Sequence, residues 1–390
     1  MSERRDWMQA AADSVAGFTS TRSKGPDAMF GGPGGPSHMV RASGCRVETL
    51  DGRVLLDWTM ALGAVSLGYG HPQVVEAVTR AVRDGTVGPL PPKLEMEVAD
   101  RLCAVYPGAE QARFFKTGAE AVQAAVRVAR VVTNREGVVH CGYHGWLDGP
   151  TAGPGVPRPV SDLWTAVPFD DPGALATAVR AHPPAAIVLE PFIDRKPREA
   201  WLHAARAVAA DVGALLIFDE VKTAFRLARG GAAQAWGVTP DLAVLGKAMA
   251  NGFPLAAVAG RADLMARMRE TWISSTLATE YVSLAAAAAV LDVWEREDVA
   301  RHIDRVGGAL FRALDQLVRG SAMVRLCGIG PMQFLRFADP GVERRFLLAC
   351  VSRGLLLKRG AYNFPSLAHG EDEVRITIDI ARDALSEAGA

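Results

Sequence analysis

From about residue 94 onward, the chain alternates between short apolar runs and longer segments with helical spacing of apolar residues. Apolar runs without polar alternation are typical of strands that are buried on both faces of a sheet. The segments between them repeat apolar residues every three or four positions, as amphipathic helices do. This order predicts an α/β domain with a mostly parallel sheet between layers of helices. The predicted strands are ARFFK, GVVHC, AAIVLEP, ALLIFDEV and PDLAVLG.

The regions before and after this alternation have a different pattern. The segment GPDAMFGGPGGPSHM is rich in Gly and Pro, which predicts a loop. The next segment, CRVETLDGRVLLDW, alternates apolar and polar residues around Asp51-Gly52, which predicts a hairpin. We expect an N-terminal arm with the start of a small domain at residues 1–50, a large domain at 51–290 and a C-terminal α+β small domain at 291–390.

The composition excludes several classes of protein. The 43 basic and 43 acidic residues cancel, so neither nucleic acid nor an anionic membrane is an expected partner. No apolar run is long enough to predict a transmembrane helix, and the N-terminus lacks the apolar core of a signal peptide. The five cysteines are scattered without a CxxC pair, which predicts reduced thiols and a cytoplasmic protein.

The first predicted strand end with candidate chemistry follows ARFFK. In open α/β sheets, ligands bind at the carboxyl ends of the strands. Thr117-Gly118-Ala119 would begin a helix whose free backbone amides suit a phosphate. The alternative is an ordinary helix start that Thr117 caps.

A second strand end, after GVVHC, carries aromatic residues. Tyr143, His144 and Trp146 lie around a glycine-flanked turn, and their faces suit stacking on an aromatic ligand. A metal site made of His140, Cys141 and His144 is disfavoured, because the sequence offers no second cluster of ligands.

Two further strand ends carry charged residues. ALLIFDEV ends in Asp219-Glu220, and such an acid could bind a metal, hold a cationic ring nitrogen or cap a helix. Lys247 follows AVLG and is one of only seven lysines in the chain. Its apolar surroundings predict a desolvated amine with a lowered pKa that can form a Schiff base, and the alternative is a snorkelling surface lysine. Together, these strand ends match the needs of pyridoxal phosphate.

The chain resembles the class III, fold type I pyridoxal phosphate-dependent aminotransferases, and within them the glutamate-semialdehyde aminomutase branch. The resemblance implies a large domain with a mostly parallel, seven-stranded sheet, a smaller α+β domain, and a homodimer with shared active sites. The motifs that carry it are LDGRVLLDW, GYGHPQVVEAV, FFKTGAEAVQAAVRVAR, GYHGWLD, IVLEP, LLIFDEVKTAFR, PDLAVLGKAMANGFPLAAVAGR and SLAHGEDEV.

The resemblance also implies roles for individual residues. Lys247 would bind the cofactor and shuttle a proton, and Asp219 would pair with the pyridine nitrogen. Val221 and Tyr143 would pack on opposite faces of the ring, while Ser275-Thr276 would reach the phosphate of the neighbouring subunit. No metal is implied. The implied cofactor-binding residues are Thr117, Gly118, Ala119, Tyr143, His144, Glu190, Asp219, Val221, Lys247, Ser275 and Thr276.

Several positions depart from the pattern of the family. Ala119 replaces the last residue of a Ser-Gly-Thr phosphate motif, and Ala278-Thr279-Glu280 replaces a Gly-Asn-Pro stretch. Ala361-Tyr362-Asn363 stands where aminomutases have a glutamate. The arginine that binds a substrate carboxylate has only Arg41 as a candidate, or more weakly Arg22.

These departures guide the functional expectation. We expect an aminotransferase that moves an amino group from an amino acid to an aldehyde or keto group of a specialised metabolite, such as a sugar, a cyclitol or a semialdehyde. The alternative is an intramolecular aminomutase. A non-catalytic protein that binds pyridoxal phosphate is disfavoured, because Lys247 and Asp219 are both present.

Overall fold

The computed structural model describes residues 7–390, and the strands of this part of the chain form three sheets. In chain order the strands are β1 (Met39–Ser43), β2 (Arg46–Thr49), β3 (Val54–Asp57), β4 (Gln111–Phe115), β5 (Val138–Cys141), β6 (Trp164–Ala166), β7 (Ala186–Leu189), β8 (Leu215–Asp219), β9 (Leu242–Leu245), β10 (Ala256–Gly260), β11 (Val324–Ile329), β12 (Met332–Phe337) and β13 (Leu355–Leu356).

The largest sheet has seven strands in the order β4-β10-β9-β8-β7-β5-β6. Its neighbouring strands are parallel except where β10 pairs with β4 and with β9. Strands β5, β7, β8 and β9 are buried at every position, as their uninterrupted apolar runs predicted. The predicted mostly parallel α/β fold is confirmed.

The helices match most of the segments with helical spacing. Among residues 7–390, no helix combines the length and the apolar character that a bilayer crossing requires. The helices are α1 (Trp7–Ser14), α2 (Pro26–Phe30), α3 (Met60–Gly63), α4 (Pro72–Asp84), α5 (Lys93–Val105), α6 (Gly118–Thr133), α7 (Arg158–Ser161), α8 (Pro172–Ala181), α9 (Glu199–Val212), α10 (Gly231–Trp236), α11 (Ala262–Met265), α12 (Tyr281–Arg296), α13 (Val299–Val318), α14 (Pro340–Ser352) and α15 (Glu371–Ala388).

One short helix corrects an expectation. The Gly- and Pro-rich segment near the N-terminus was predicted to be loop throughout, yet α2 forms within it. Proline at the first helical position has a suitable φ and needs no amide partner there, so Pro26 starts the helix. Gly31 ends it with a φ of 75°, in the left-handed conformation that glycine adopts without steric cost.

Contacts between Cα atoms divide the chain into two units. One unit runs up to His71 and resumes with Arg301–Ala390, and the other is Pro72–Ala300. These boundaries fall later than the domain boundaries that we expected after residues 50 and 290. The first boundary falls after residue 71 and not after residue 50, because the hairpin of β2 and β3 belongs to the same unit as the C-terminal residues. Within that unit, β3 pairs in parallel with β13.

The first unit contains a strained turn at α3. Met60, Ala61 and Leu62 have φ values of 42°, 51° and 60°, which side chains other than glycine rarely adopt. The carboxylate of Asp57 holds the entry to this turn, since it accepts hydrogen bonds from Thr59 N at 2.6 Å and from the Tyr69 hydroxyl at 2.7 Å. Burial raises the pKa of Asp57.

Candidate active site

Lys247 lies immediately after β9, at the start of the 3-10 turn Lys247–Ala250. Its φ of 47° is in the left-handed region, a strained conformation for a residue with a side chain. The amine makes no hydrogen bond within residues 7–390. Burial lowers the pKa of Lys247, and the nearby cation of Lys222 lowers it further. A neutral, unpartnered amine is the form of lysine that attacks carbonyl carbon.

Asp219 is the last residue of β8 and is 4% exposed. Its Oδ2 lies 2.8 Å from Nδ1 of the buried His144, and its Oδ1 accepts a hydrogen bond from Val221 N at 3.2 Å. A carboxylate can only accept, so Nδ1 of His144 carries the proton. His144 was predicted to offer a stacking face, and the structure corrects this, because the ring is buried as the partner of Asp219.

The start of α6 is capped by Thr117, which is one of the two alternatives that the sequence left open. The Thr117 hydroxyl accepts a hydrogen bond from Glu120 N, and Thr117 N donates to the Glu120 carboxylate, which together form a capping box. The amides of Gly118 and Ala119 make no hydrogen bond within residues 7–390. The Thr117 side chain is thus engaged in capping, while the two amides are left unpaired by the described residues at a helix N-terminus, a position that suits an anion.

Val221 lies between two glycines at the strand ends. A Cβ atom on Gly118 would come within 2.9 Å of Val221 Cγ2, and one on Gly246 would lie 3.6 Å from both of its γ carbons. The absence of side chains at these glycines therefore lets the backbones before Lys247 and at the start of α6 approach the valine. Tyr143, on the loop after β5, is 69% exposed.

Lys222 is a charged group that sequence reasoning missed. Its Nζ lies 2.9 Å from Glu190 Oε1, and the two side chains are only 7% and 13% exposed. The other carboxylate oxygen of Glu190 accepts a hydrogen bond from Tyr143 N at 2.9 Å. The signal was present in the sequence, because Lys222 directly follows the Asp-Glu-Val motif, but chain position alone did not give the direction of the side chain.

Ser275 and Thr276 are exposed on the loop that precedes α12. An ion pair connects the end of this loop to the residues just before α6, because Lys116 Nζ lies 2.9 Å from Glu280 Oε1. Glu280 also caps α12 by accepting hydrogen bonds from Val282 N and Ser283 N. The departure from the Gly-Asn-Pro stretch thus has a structural use in this chain.

Two other candidates from the sequence are a metal site and the carboxylate-binding Arg41. Within residues 7–390, no group of three or more His, Cys, Asp or Glu side chains could hold a metal ion. Arg41, the candidate carboxylate binder, lies on β1 with a side chain that is 79% exposed, and its Nε is 2.5 Å from Glu48 Oε2.

The donors around Lys247 fit pyridoxal phosphate by their chemistry. The amides of Gly118 and Ala119 suit the phosphate, and the carboxylate of Asp219 suits a cationic ring nitrogen. The apolar side chain of Val221 suits the face of a ring, and the unpartnered amine of Lys247 suits an aldehyde. All of these residues belong to the unit Pro72–Ala300.

Comparison with known proteins agrees with this chemistry. The chain matches the family Aminotransferase class-III over residues 33–168 and 173–385. It is 34% identical over 403 aligned positions to the glutamate-1-semialdehyde 2,1-aminomutase of Gemmatimonas aurantiaca, covering 93% of this chain and 92% of that protein. It is 36% identical over 334 positions to the 2'-deamino-2'-hydroxyneamine transaminase of Streptomyces kanamyceticus, covering 83% and 84%.

Solved structures show the same fold. A transaminase with pyridoxal phosphate bound superposes with a TM-score of 0.90 at 24% identity, covering 98% of this chain and 96% of that one. A β-phenylalanine aminotransferase from Variovorax paradoxus gives a TM-score of 0.89 at 25% identity, covering 98% and 93%. The chain therefore belongs to the class III aminotransferases, the pyridoxal phosphate-dependent enzymes of fold type I.

Proposed function

We propose that this protein is a transaminase that moves an amino group from an amino acid to an aldehyde or keto group of a specialised metabolite of the sugar, cyclitol or semialdehyde type. The observation that carries the acceptor class is the position of Arg41, whose exposed side chain is already paired with Glu48. Recognition of a carboxylate usually needs an arginine fork that is held ready for both oxygens. The transaminase from Streptomyces kanamyceticus, a relative of comparable similarity, supports a non-amino-acid acceptor.

In this proposal, Lys247 would hold the aldehyde of the cofactor, and its amine would carry the proton that moves between substrate and cofactor. Burial lowers the pKa of Lys247, which favours the neutral amine that can attack a carbonyl and then accept a proton. When bound, pyridoxal phosphate supplies an electron sink for the carbanion that forms on the substrate. Asp219 would maintain the positive charge of the ring nitrogen, and the hydrogen bond from His144 Nδ1 orients that carboxylate.

The remaining residues of the proposed site bind and orient the cofactor. The amides of Gly118 and Ala119 would hold the phosphate, and Thr117 caps the start of the helix that carries them. Val221 would pack on one face of the ring and Tyr143 on the other. Each of these roles concerns binding, so their loss should raise the dissociation rate of the cofactor more than it changes the chemistry.

The central test is the substitution Lys247→Ala. We expect the purified wild-type chain with pyridoxal phosphate to be yellow and to change its visible band when an L-amino acid donor is added. Lys247→Ala should lose turnover while its thermal unfolding stays close to that of the wild type. The matched control is Lys358→Met, because Lys358 is another buried lysine, with its pKa lowered to about 8 by burial. Appreciable turnover by Lys247→Ala would contradict the assignment.

The aminomutase is a second candidate, because several similar proteins, such as that of Gemmatimonas aurantiaca, carry this name. An aminomutase turns over a single substrate, whereas a transaminase needs a donor and an acceptor. We would assay glutamate-1-semialdehyde alone and then pair L-glutamate with sugar aldehydes, keto-cyclitols or 2-oxo acids. Turnover of the semialdehyde alone would favour the aminomutase, and a strict preference for 2-oxo acids would exclude the proposed acceptor class.

We also propose a cytoplasmic homodimer whose subunits share their active sites. Support comes from the loop before α12, where Trp272 and Leu277 are 85% and 53% exposed next to Ser275 and Thr276. Large apolar side chains in such a position are typical of an interface between subunits. Light scattering on the purified chain tests this, and a monomer that keeps full activity would contradict it.

A further inference from the structure

The pair formed by Lys222 and Glu190 connects the ends of three strands of the large sheet. Glu190 follows β7, Lys222 follows β8, and Tyr143 lies on the loop after β5. One oxygen of Glu190 is 2.9 Å from Lys222 Nζ, and the other accepts the Tyr143 amide at 2.9 Å. Lys222 Nζ also lies 5.5 Å from the ring centroid of Phe192.

A purely structural role explains this pair poorly. Removing two charges from water costs several kcal/mol per ion, so a buried ion pair is seldom more stable than apolar side chains of the same volume. The pair lies nevertheless at the edge of the sheet where Lys247 and Asp219 are located. A buried pair at this edge is thus more readily explained by an effect on the neighbouring amine than by stability.

Besides burial, four charged residues have the largest effects on the pKa of Lys247, and the pair supplies two of them with opposite signs. Burial is the main cause of the lowered pKa of Lys247, and Lys222 is the next. Glu190 and Asp219 raise this pKa, whereas Arg226 lowers it. Lys222 and Glu190 therefore oppose each other at the same amine.

We propose that Lys222 and Glu190 act as a positioning pair for the reaction at Lys247. Glu190 fixes the backbone of Tyr143, and Lys222, ion-paired with Glu190 at the same strand edge, provides a cation that opposes protonation of the Lys247 amine. This inference rests on the proposed role of Lys247 and assigns to Lys222 a function that its position in the chain did not reveal.

The test measures how fast the full-length chain, freed of cofactor, captures added pyridoxal phosphate at a series of pH values. Capture needs a neutral amine, so the midpoint of the profile follows the pKa of Lys247. Lys222→Met should raise the midpoint by about one pH unit, and Glu190→Gln should lower it by a similar amount, which is the size of shift that a nearby charge causes. Free pyridoxal phosphate titrates identically in every arm, so the differences report on the protein.

Two further variants serve as controls. Lys222→Arg keeps the cation and should leave the midpoint where it is in the wild type. The double variant Lys222→Met with Glu190→Gln removes both charges, and its midpoint should fall between those of the single variants. A role in packing alone predicts shifts of one sign or none, together with equal effects of Lys222→Arg and Lys222→Met.

The outcomes separate this inference from the proposed function. If the wild-type chain does not capture pyridoxal phosphate, the proposed role of Lys247 is wrong, and the inference is overturned with it. If the wild type captures the cofactor but the two single variants do not shift the midpoint in opposite directions, only the positioning pair is overturned.

Discussion

Asp219 and Glu220 are neighbouring carboxylates at the end of β8, and their surroundings differ. Asp219 faces His144 and the space around Lys247, with two hydrogen-bond partners. Glu220 is fully buried and accepts hydrogen bonds from the amides of Ala232 and Ala233, both at 2.8 Å. The hydroxyls of Tyr106, at 3.2 Å, and of Thr223 also donate to it.

The difference shows how one strand end can serve both chemistry and structure. Successive side chains of a strand point to opposite faces, so adjacent acids enter different environments. A carboxylate has about four acceptor positions, and four donors engage those of Glu220. Asp219 keeps capacity for a further partner, as a residue that holds a ligand must. This difference supports the proposed chemical role of Asp219, whereas Glu220 supports the start of α10.

The largest expected effect tests the different roles of Asp219 and Glu220 by removing the charge of each in turn with an isosteric substitution. Asp219→Asn should lower the rate of amino transfer by about 10²- to 10³-fold, the usual loss when a preorganised electrostatic partner is removed. Glu220→Gln, measured in folded protein, should stay within a few-fold of the wild type. The measurement is the rate at which the visible band of the bound cofactor changes with an L-amino acid donor. Equal losses in both variants would refute the comparison.

The second prediction concerns the free energy of unfolding, for which the Glu220 variant should have a larger effect than the Asp219 variant. Glu220→Ala leaves four donors without an acceptor, so it should lower the free energy of unfolding by about 3 to 5 kcal/mol. Tyr106→Phe removes only one donor and should cost about 1 kcal/mol. Asp219→Asn should change this free energy by less than Tyr106→Phe does. Urea denaturation followed by tryptophan fluorescence measures all three, and a Glu220→Ala variant as stable as the wild type would contradict the structural role.

The sequence predicted the strands and the helix start around the candidate site well, because local pattern determines these structures. Uninterrupted apolar runs such as LLIF and LAVL marked the buried strands, and Lys247 stood out because a cation directly follows such a run. The helix start at Thr117 was predictable because its capping box lies within four residues of sequence.

Features that depend on distant residues were not predictable. The donors to Glu220 include Tyr106 and the amide of Ala233, which lie far from it in the chain and are brought close only by the fold. Strand β10, with the sequence AAVAG, lacks the bulky residues that predict strands, and its antiparallel pairing with β4 and β9 forms it. The left-handed turn at Met60 has no signal in its residue types, since they disfavour that conformation.

The third prediction sharpens the assignment of Asp219 through its partner. His144→Ala removes the donor that orients the carboxylate and should lower kcat by about 10- to 100-fold with little change in KM, as loss of an orienting partner usually does. His144→Asn can donate from its amide to Asp219 Oδ2 and should recover much of this loss. If His144→Asn is as slow as His144→Ala, the hydrogen bond at 2.8 Å does not position Asp219.

The smallest expected effect concerns the pH dependence of stability, in which His140 and Glu220 act in opposite directions. Burial, with a further contribution from His144, lowers the pKa of His140 to about 4. Between pH 6.5 and 4 the unfolded chain binds a proton that the folded chain does not, so stability falls as the pH falls. Burial raises the pKa of Glu220 instead, so the folded chain holds the proton of Glu220 more tightly than the unfolded chain does. The effect of Glu220 on stability is therefore to lower it as the pH rises, not as it falls. His140→Phe should retain about 1 to 2 kcal/mol more of its pH 7 stability at pH 4.5 than the wild type does. Urea denaturation at pH 7 and pH 4.5 measures this, and an equal loss of stability in His140→Phe and in the wild type would refute it.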